Sequence, residues 1–184
     1  MSLMLQNFIL FQIGWFSCVL GGASSSYYWT GVVVVTAIIA VHLLRAYQSR
    51  YEVTLILITT LLGTAWDSTL MATGLFSFNN GVIFAALVPF WMIAMWALFA
   101  TTLNVSMKWM KDRYLLAATF GAIGGPLAYY AGHRLGAVEF TDTATVLFAV
   151  GSGWAVIMPL LMFLTTRFNG YQKIHSNKYE VNPI

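Results

Sequence analysis

The sequence predicts an all-α membrane protein, a polytopic bundle of six transmembrane helices, and three observations carry that prediction. Of the 184 residues, 59% are hydrophobic and 8% charged, with a mean hydropathy of +0.75, which leaves too little polar surface to coat a soluble globule. The apolar residues fall into six runs of about 20, the helical length that crosses a hydrocarbon core about 30 Å thick. Eight of the nine Lys and Arg residues sit in alternate gaps between those runs, the asymmetry that arises when cytoplasmic loops retain basic side chains.

Taken in order, the runs place spans at roughly 4–21, 29–46, 51–74, 83–105, 113–132 and 143–167. Backbone groups in lipid must pair internally and no alternating barrel pattern is present, so each span is expected to be a helix of one compact domain, residues 1–167. The first run, with Leu20-Gly21-Gly22-Ala23-Ser24 after it, has the outline of a signal peptide. It lacks a basic n-region and is interrupted by Gln6, Asn7 and Gln12, so it reads as a helix. Tyr27, Tyr28 and Trp29 suit an aromatic belt at the membrane surface. Phe78-Asn79-Asn80-Gly81 reads as a tight polar turn, and residues 168–184, opening on Asn169-Gly170, as a short solvated cytoplasmic tail.

Arg45 and Arg50 fall in the second loop, Lys108, Lys111 and Arg113 in the fourth, and Arg167, Lys173 and Lys178 at the carboxyl end. Both termini are therefore expected in the cytoplasm, with only Arg134 on the far side. The pI of about 9.1 does not imply a nucleic-acid partner, because the basic residues flank helices without forming a stripe. One cysteine, Cys18, excludes an intramolecular disulfide framework. The three histidines lie in separate segments without metal-ligand spacing, and no phosphate loop or nucleophile elbow occurs, so neither metal nor cofactor is expected.

Asp67 is the first candidate for chemistry, since an acid well inside the third span is costly there and is expected to face the bundle with Gly63 and Thr64. It reads either as an acid for proton transfer or cation binding, with Ser68 beside it, or as a carboxyl group held by interhelical hydrogen bonds. In the fifth span Ala118, Gly121, Gly125, Ala128 and Gly132 form a small-residue stripe on which another helix can approach, and Pro126 predicts a kink. Arg134, beside His133, is expected to pair locally with Glu139 or Asp142, with Asp67 or an anionic headgroup as alternatives. Near the cytoplasmic ends, His42 and Arg45, with Asn104, Lys108 and Trp109, suggest a headgroup patch or simply helix caps and snorkelling side chains. Trp91, Met95, Trp96 and Phe99 read as bundle core or lipid contact.

The run Phe99-Ala100-Thr101-Thr102-Leu103-Asn104-Val105-Ser106-Met107-Lys108-Trp109 and the stretch Gly121-Ala122-Ile123-Gly124-Gly125-Pro126-Leu127-Ala128-Tyr129 resemble a bacterial membrane family catalogued only as domain of unknown function 2878. Phe11-Gln12-Ile13-Gly14-Trp15-Phe16, the Asp67-Ser68 pair, and Gly153-Trp154 followed by Pro159 are also similar, so the resemblance covers nearly the whole chain. It implies a small polytopic inner-membrane protein of Gram-negative bacteria. Members are often encoded beside genes for modifying membrane fatty acids, which implies a lipid context and assigns no catalytic residue.

The expected role is therefore lipid-associated, as an enzyme on a membrane-embedded acyl substrate or an accessory subunit of one. Asp67 and Ser68 would supply chemistry, while Tyr129, His133, Arg134, Asn104, Lys108 and Trp109 would hold substrate or headgroup. Membrane lipid is the expected partner, with a membrane protein or second copy beside it. A small carrier using Asp67 as a proton or cation site, and a structural protein without substrate, are the competing readings. A cavity reaching laterally to lipid favours the first, a water path from both faces the second, and a filled bundle the third.

Overall fold

The computed structural model describes residues 1–172. Six α-helices make up most of it: α1 (Leu3–Gly22), α2 (Thr30–Arg45), α3 (Ser49–Ala72), α4 (Phe90–Leu103), α5 (Tyr114–Arg134) and α6 (Thr143–Arg167). Helix starts follow local chemistry: Ser2 caps α1 by accepting the Leu5 N–H at 3.3 Å, and Asp142 caps α6 by accepting that of Thr145 at 2.8 Å. These Thr145 bonds hold the Asp142 carboxyl below the usual carboxylate range.

The fourth span is shorter than the sequence predicts. Residues 83–88, apolar though they are, lie outside the helix, with Ile83 63% and Phe84 65% exposed. Proline explains the boundary, because Pro89 disfavours helical geometry at Val88 and has no N–H of its own to give. The approach to α4 is instead fixed by side chains: Ser68 Oγ accepts the Val88 N–H at 3.2 Å, and Trp91 Nε1 donates to the Asn80 carbonyl at 3.0 Å. The expected tight turn around Asn80 is thus part of a long connection, residues 73–89.

Within it, β1 (Phe76–Ser77) pairs antiparallel with β2 (Glu139–Phe140), aligning Phe76 with Phe140 and Ser77 with Glu139. This clasp joins the α3–α4 and α5–α6 connections at one end of the bundle.

Three helices, α1, α3 and α6, are long and apolar enough to cross a membrane, rather than the six the sequence predicts. Helices α2 and α4 are apolar but have only 16 and 14 residues. In α5 the length suffices, but glycines, Pro126 and Tyr, His and Arg residues dilute its apolar character. Helix α4 is the hub, packing against α1, α2 and α3, while α5 and α6 form the most extensive pair.

The glycines of α5 produce that pairing, and the helix runs unbroken through Pro126. The buried face is Ala117, Gly121, Gly125, Tyr129 and Gly132; Ala118 is only partly buried and Ala128 exposed, which corrects the predicted face by one position at each. A side chain at Gly121 would strike the Trp154 carbonyl of α6, so here backbones do approach closely. Elsewhere glycine makes room for an indole: a Cβ at Gly63 would fall within the Trp96 ring, at Gly125 against Trp154, and at Gly153 within Trp66.

Candidate functional site

Asp67 projects from α3 one turn after Gly63, and the empty space over that glycine lets Trp96 of α4 lie flat on α3. The Trp96 Nε1–H then donates to Asp67 Oδ2 at 2.6 Å. From α5 the Tyr129 hydroxyl donates to Oδ1 at 2.5 Å. Both carboxylate oxygens are engaged, and Asp67 is 0% exposed. Behind this bridge Trp96 stacks on Trp154 of α6, with ring centres 4.9 Å apart and planes 15° from parallel. Phe99 meets Trp154 edge-on at 5.2 Å. Four helices therefore converge on one acid and its aromatic donors.

Trp96, Trp154 and Tyr129 also face a cavity of about 420 Å³ between α1, α4 and α5. Its walls are almost wholly apolar and rich in aromatic and methionine side chains, among them Phe11, Trp15, Trp91, Met92, Met95 and Phe99. It reaches from Ser106 and Met107 at one end of the bundle to Ala137 and Val138 at the other. Between α1 and α5 it is open sideways, where lining residues Phe8, Phe120 and Leu127 are 52%, 40% and 62% exposed. Gly121, Gly124, Gly125 and Ala128 form the α5 wall, so small residues both seat α6 and hollow out this space.

A second polar cluster occupies the opposite end from the β clasp. Glu52, in the first turn of α3, is 0% exposed. Its Oε2 lies 2.8 Å from His42 Nε2, while Oε1 accepts from Asn104 Nδ2 and from the Gly170 N–H, each at 2.7 Å. Asn104 also donates to the Phe168 carbonyl at 2.9 Å, and the Tyr171 hydroxyl donates to the His42 carbonyl at 2.7 Å. Burial and then the Glu52 charge push the Tyr171 phenol up to about 12, against a smaller opposing pull from Arg45. Residues 168–171 are thus pinned to the ends of α2, α3 and α4, not solvated as the sequence suggests. The remainder of the predicted tail, 173–184, lies outside the described residues.

The predicted site residues distribute between these places. Asp67 and Tyr129, assigned separate roles from sequence, are direct partners. Ser68 points elsewhere and holds the loop before α4 through Val88. Asn104 is buried in the Glu52 cluster, whereas Lys108 begins a single 3₁₀ turn (Lys108–Met110) and Trp109 is 48% exposed, edge-on to the cavity residue Phe120. His133 stacks on Phe140 at 4.4 Å, with Nδ1 3.0 Å from the Val138 carbonyl oxygen.

The expected local ion pair of Arg134 does not form among the described residues. Glu139 receives the Asn79 amide at 2.6 Å, Asp142 is occupied as the α6 cap, and Asp67 is sealed by Trp96 and Tyr129. Sequence reasoning missed Trp96 as the acid's donor and missed Glu52 altogether. A buried indole usually finds an acceptor, although Trp66 and Trp154 have none among the described residues, and this was a usable signal for Trp96; Glu52, two residues from Arg50, reads as an ordinary surface acid.

No curated protein matches this chain, and no solved structure does. Residues 4–160 match the family described as Protein of unknown function (DUF2878), and the chain, matched over most of its length and carrying the motifs quoted above, belongs to that family.

Proposed function

We propose that the protein is a multi-pass bacterial inner-membrane protein that takes an acyl chain from the surrounding bilayer into the cavity between α1, α4 and α5. The carrying observation is that cavity: about 420 Å³, apolar, and open sideways between α1 and α5. Its volume falls in the ordinary range of small-molecule sites, roughly 300–1,000 Å³. On this reading all six helices span, with the amino terminus and the Glu52 end in the cytoplasm and the β clasp outside. Large apolar side chains facing outward around the bundle, including Leu61, Leu115, Phe148 and Val156, each at least 69% exposed, support immersion in lipid. Helices α2 and α4, about 24 and 21 Å long at 1.5 Å per residue, would cross a locally thinned core or tilt little.

Asp67 is the acid of this site and Tyr129 the group through which it meets the cavity, which suits an enzyme acting on the bound chain or a subunit presenting the chain to one. Arg134, exposed and without a carboxylate partner among the described residues, would meet a headgroup at the outer rim on this reading. The test is photolabelling in membranes with a diazirine-bearing fatty acid, followed by mapping of the adducts. Labels are expected on α1, α4 and α5 lining residues and are expected to fall when Ala128→Leu fills the space. Labels confined to the outward faces of α2, α3 and α6 would refute an acyl site and favour a structural role.

A further inference from the structure

Gln12 lies on the α1 stripe Phe8, Phe11, Gln12, Trp15 and Val19 that walls the cavity. The cavity's hydroxyl side chains are already committed: Thr102 to the Phe99 carbonyl, Ser106 to Asn7 and Tyr129 to Asp67. Gln12, the one amide among the lining residues, has no hydrogen bond among the described residues, and of the lining indoles Trp154 Nε1 is likewise buried without an acceptor. An amide facing hydrocarbon without a partner is costly, and α1 is otherwise apolar at this level.

Depth narrows the partner. Gln12 is nine residues beyond Leu3, the first residue of α1, which at 1.5 Å per residue is about 13 Å, close to the middle of a hydrocarbon core about 30 Å thick. Headgroups and ester carbonyls stay at the interface and do not reach that depth. The group that meets Gln12 must therefore be carried within the hydrocarbon portion of the ligand. Resting on the acyl-cavity reading above, we infer that the bound lipid carries an oxygen function, a hydroxyl or carbonyl, partway along its chain, and that Gln12 is the specificity residue that hydrogen-bonds it. The glutamine amide both donates and accepts, so it suits either oxygen function.

The experiment uses the full chain in lipid nanodiscs with dibromostearate as a quencher of the cavity tryptophans. Stearate and a set of monohydroxylated stearates, the hydroxyl stepped along the chain, compete for the site. In the wild type at least one hydroxylated chain is expected to displace the quencher at about one-fifth the mole fraction that stearate needs, the factor expected of one neutral hydrogen bond. Gln12→Leu should abolish that preference, hydroxylated chains then displacing the quencher no better than stearate does in the same variant, and Gln12→Met provides a second apolar replacement should leucine impair assembly. Equal displacement by every chain in the wild type would overturn the inference while leaving the acyl cavity intact. A preference that persists in both variants would remove Gln12 from the role. Failure of the brominated chain to quench at all would refute the acyl cavity and this inference with it.

Discussion

Gly124 and Gly125 are adjacent on α5 yet should respond to the same substitution in opposite directions. At Gly125 an added Cβ would meet the Trp154 ring, with Cδ1 2.6 Å and Cβ 2.9 Å away and Cγ nearer still. Ordinary carbon contacts need about 3.5–4.0 Å, so the indole must retreat by about 1 Å. It cannot move alone, being stacked on Trp96 and edge-on to Phe99, and Trp96 carries the hydrogen bond to Asp67. Overpacking of this kind costs about 1–3 kcal/mol, from which the helix propensity of alanine over glycine returns about 1 kcal/mol. Gly125→Ala is therefore expected to destabilise by up to roughly 2 kcal/mol. At Gly124 the nearest atoms to an added Cβ are Phe120 Cε1 and Cδ1 at 3.7 and 3.9 Å, ordinary contacts, so Gly124→Ala should be neutral or stabilising by up to about 1 kcal/mol. Reversible unfolding by sodium dodecyl sulfate in mixed micelles, followed by tryptophan fluorescence, measures the difference. Gly125→Ala being as stable as Gly124→Ala would show that the indoles are not seated by the glycines, and the account of the site would lose its mechanical basis.

Asp67→Asn should accumulate normally and abolish whatever lipid change the wild type produces, because the amide can accept from Trp96 and donate to the Tyr129 oxygen but cannot ionise. Lipid profiles of cells making either form decide it, and full activity in the variant would reduce Asp67 to a structural link. Glu52→Ala strips partners from His42, Asn104 and the Gly170 N–H together; a loss of about 3 kcal/mol is expected for breaking a buried pair, with earlier proteolysis after Arg167, and an unchanged unfolding midpoint would contradict the role given to the Glu52 cluster. The Tyr171 phenol has a folded-state pKa near 12 against an ordinary 10, so its contribution is complete below pH 10 and is lost as pH rises toward 12. The fall in melting temperature of the wild type over that interval should exceed that of Tyr171→Phe, and parallel curves would count against the contact. A reporter inserted near Asn80 should be periplasmic and one joined at the carboxyl end cytoplasmic; the reverse pattern would overturn the proposed orientation.

Sequence alone determined the helical class, because hydrophobic runs of spanning length and the need to pair every backbone group in lipid leave little else. It also singled out Asp67 and Tyr129, since ionisable and hydroxyl groups stand out against an apolar background. Pro89 carried the α4 boundary in plain sight, but hydropathy sums do not register that a proline excludes the preceding residue from helix. What only the tertiary structure decided is which polar groups meet. Trp96 and Asp67 are 29 residues apart and Glu52 and Gly170 are 118 apart, and no local pattern encodes such pairings. The same limit hid the meaning of the glycines: spacing shows that small residues share a face, whereas a backbone, an indole or a void on the other side depends on side chains contributed by other helices.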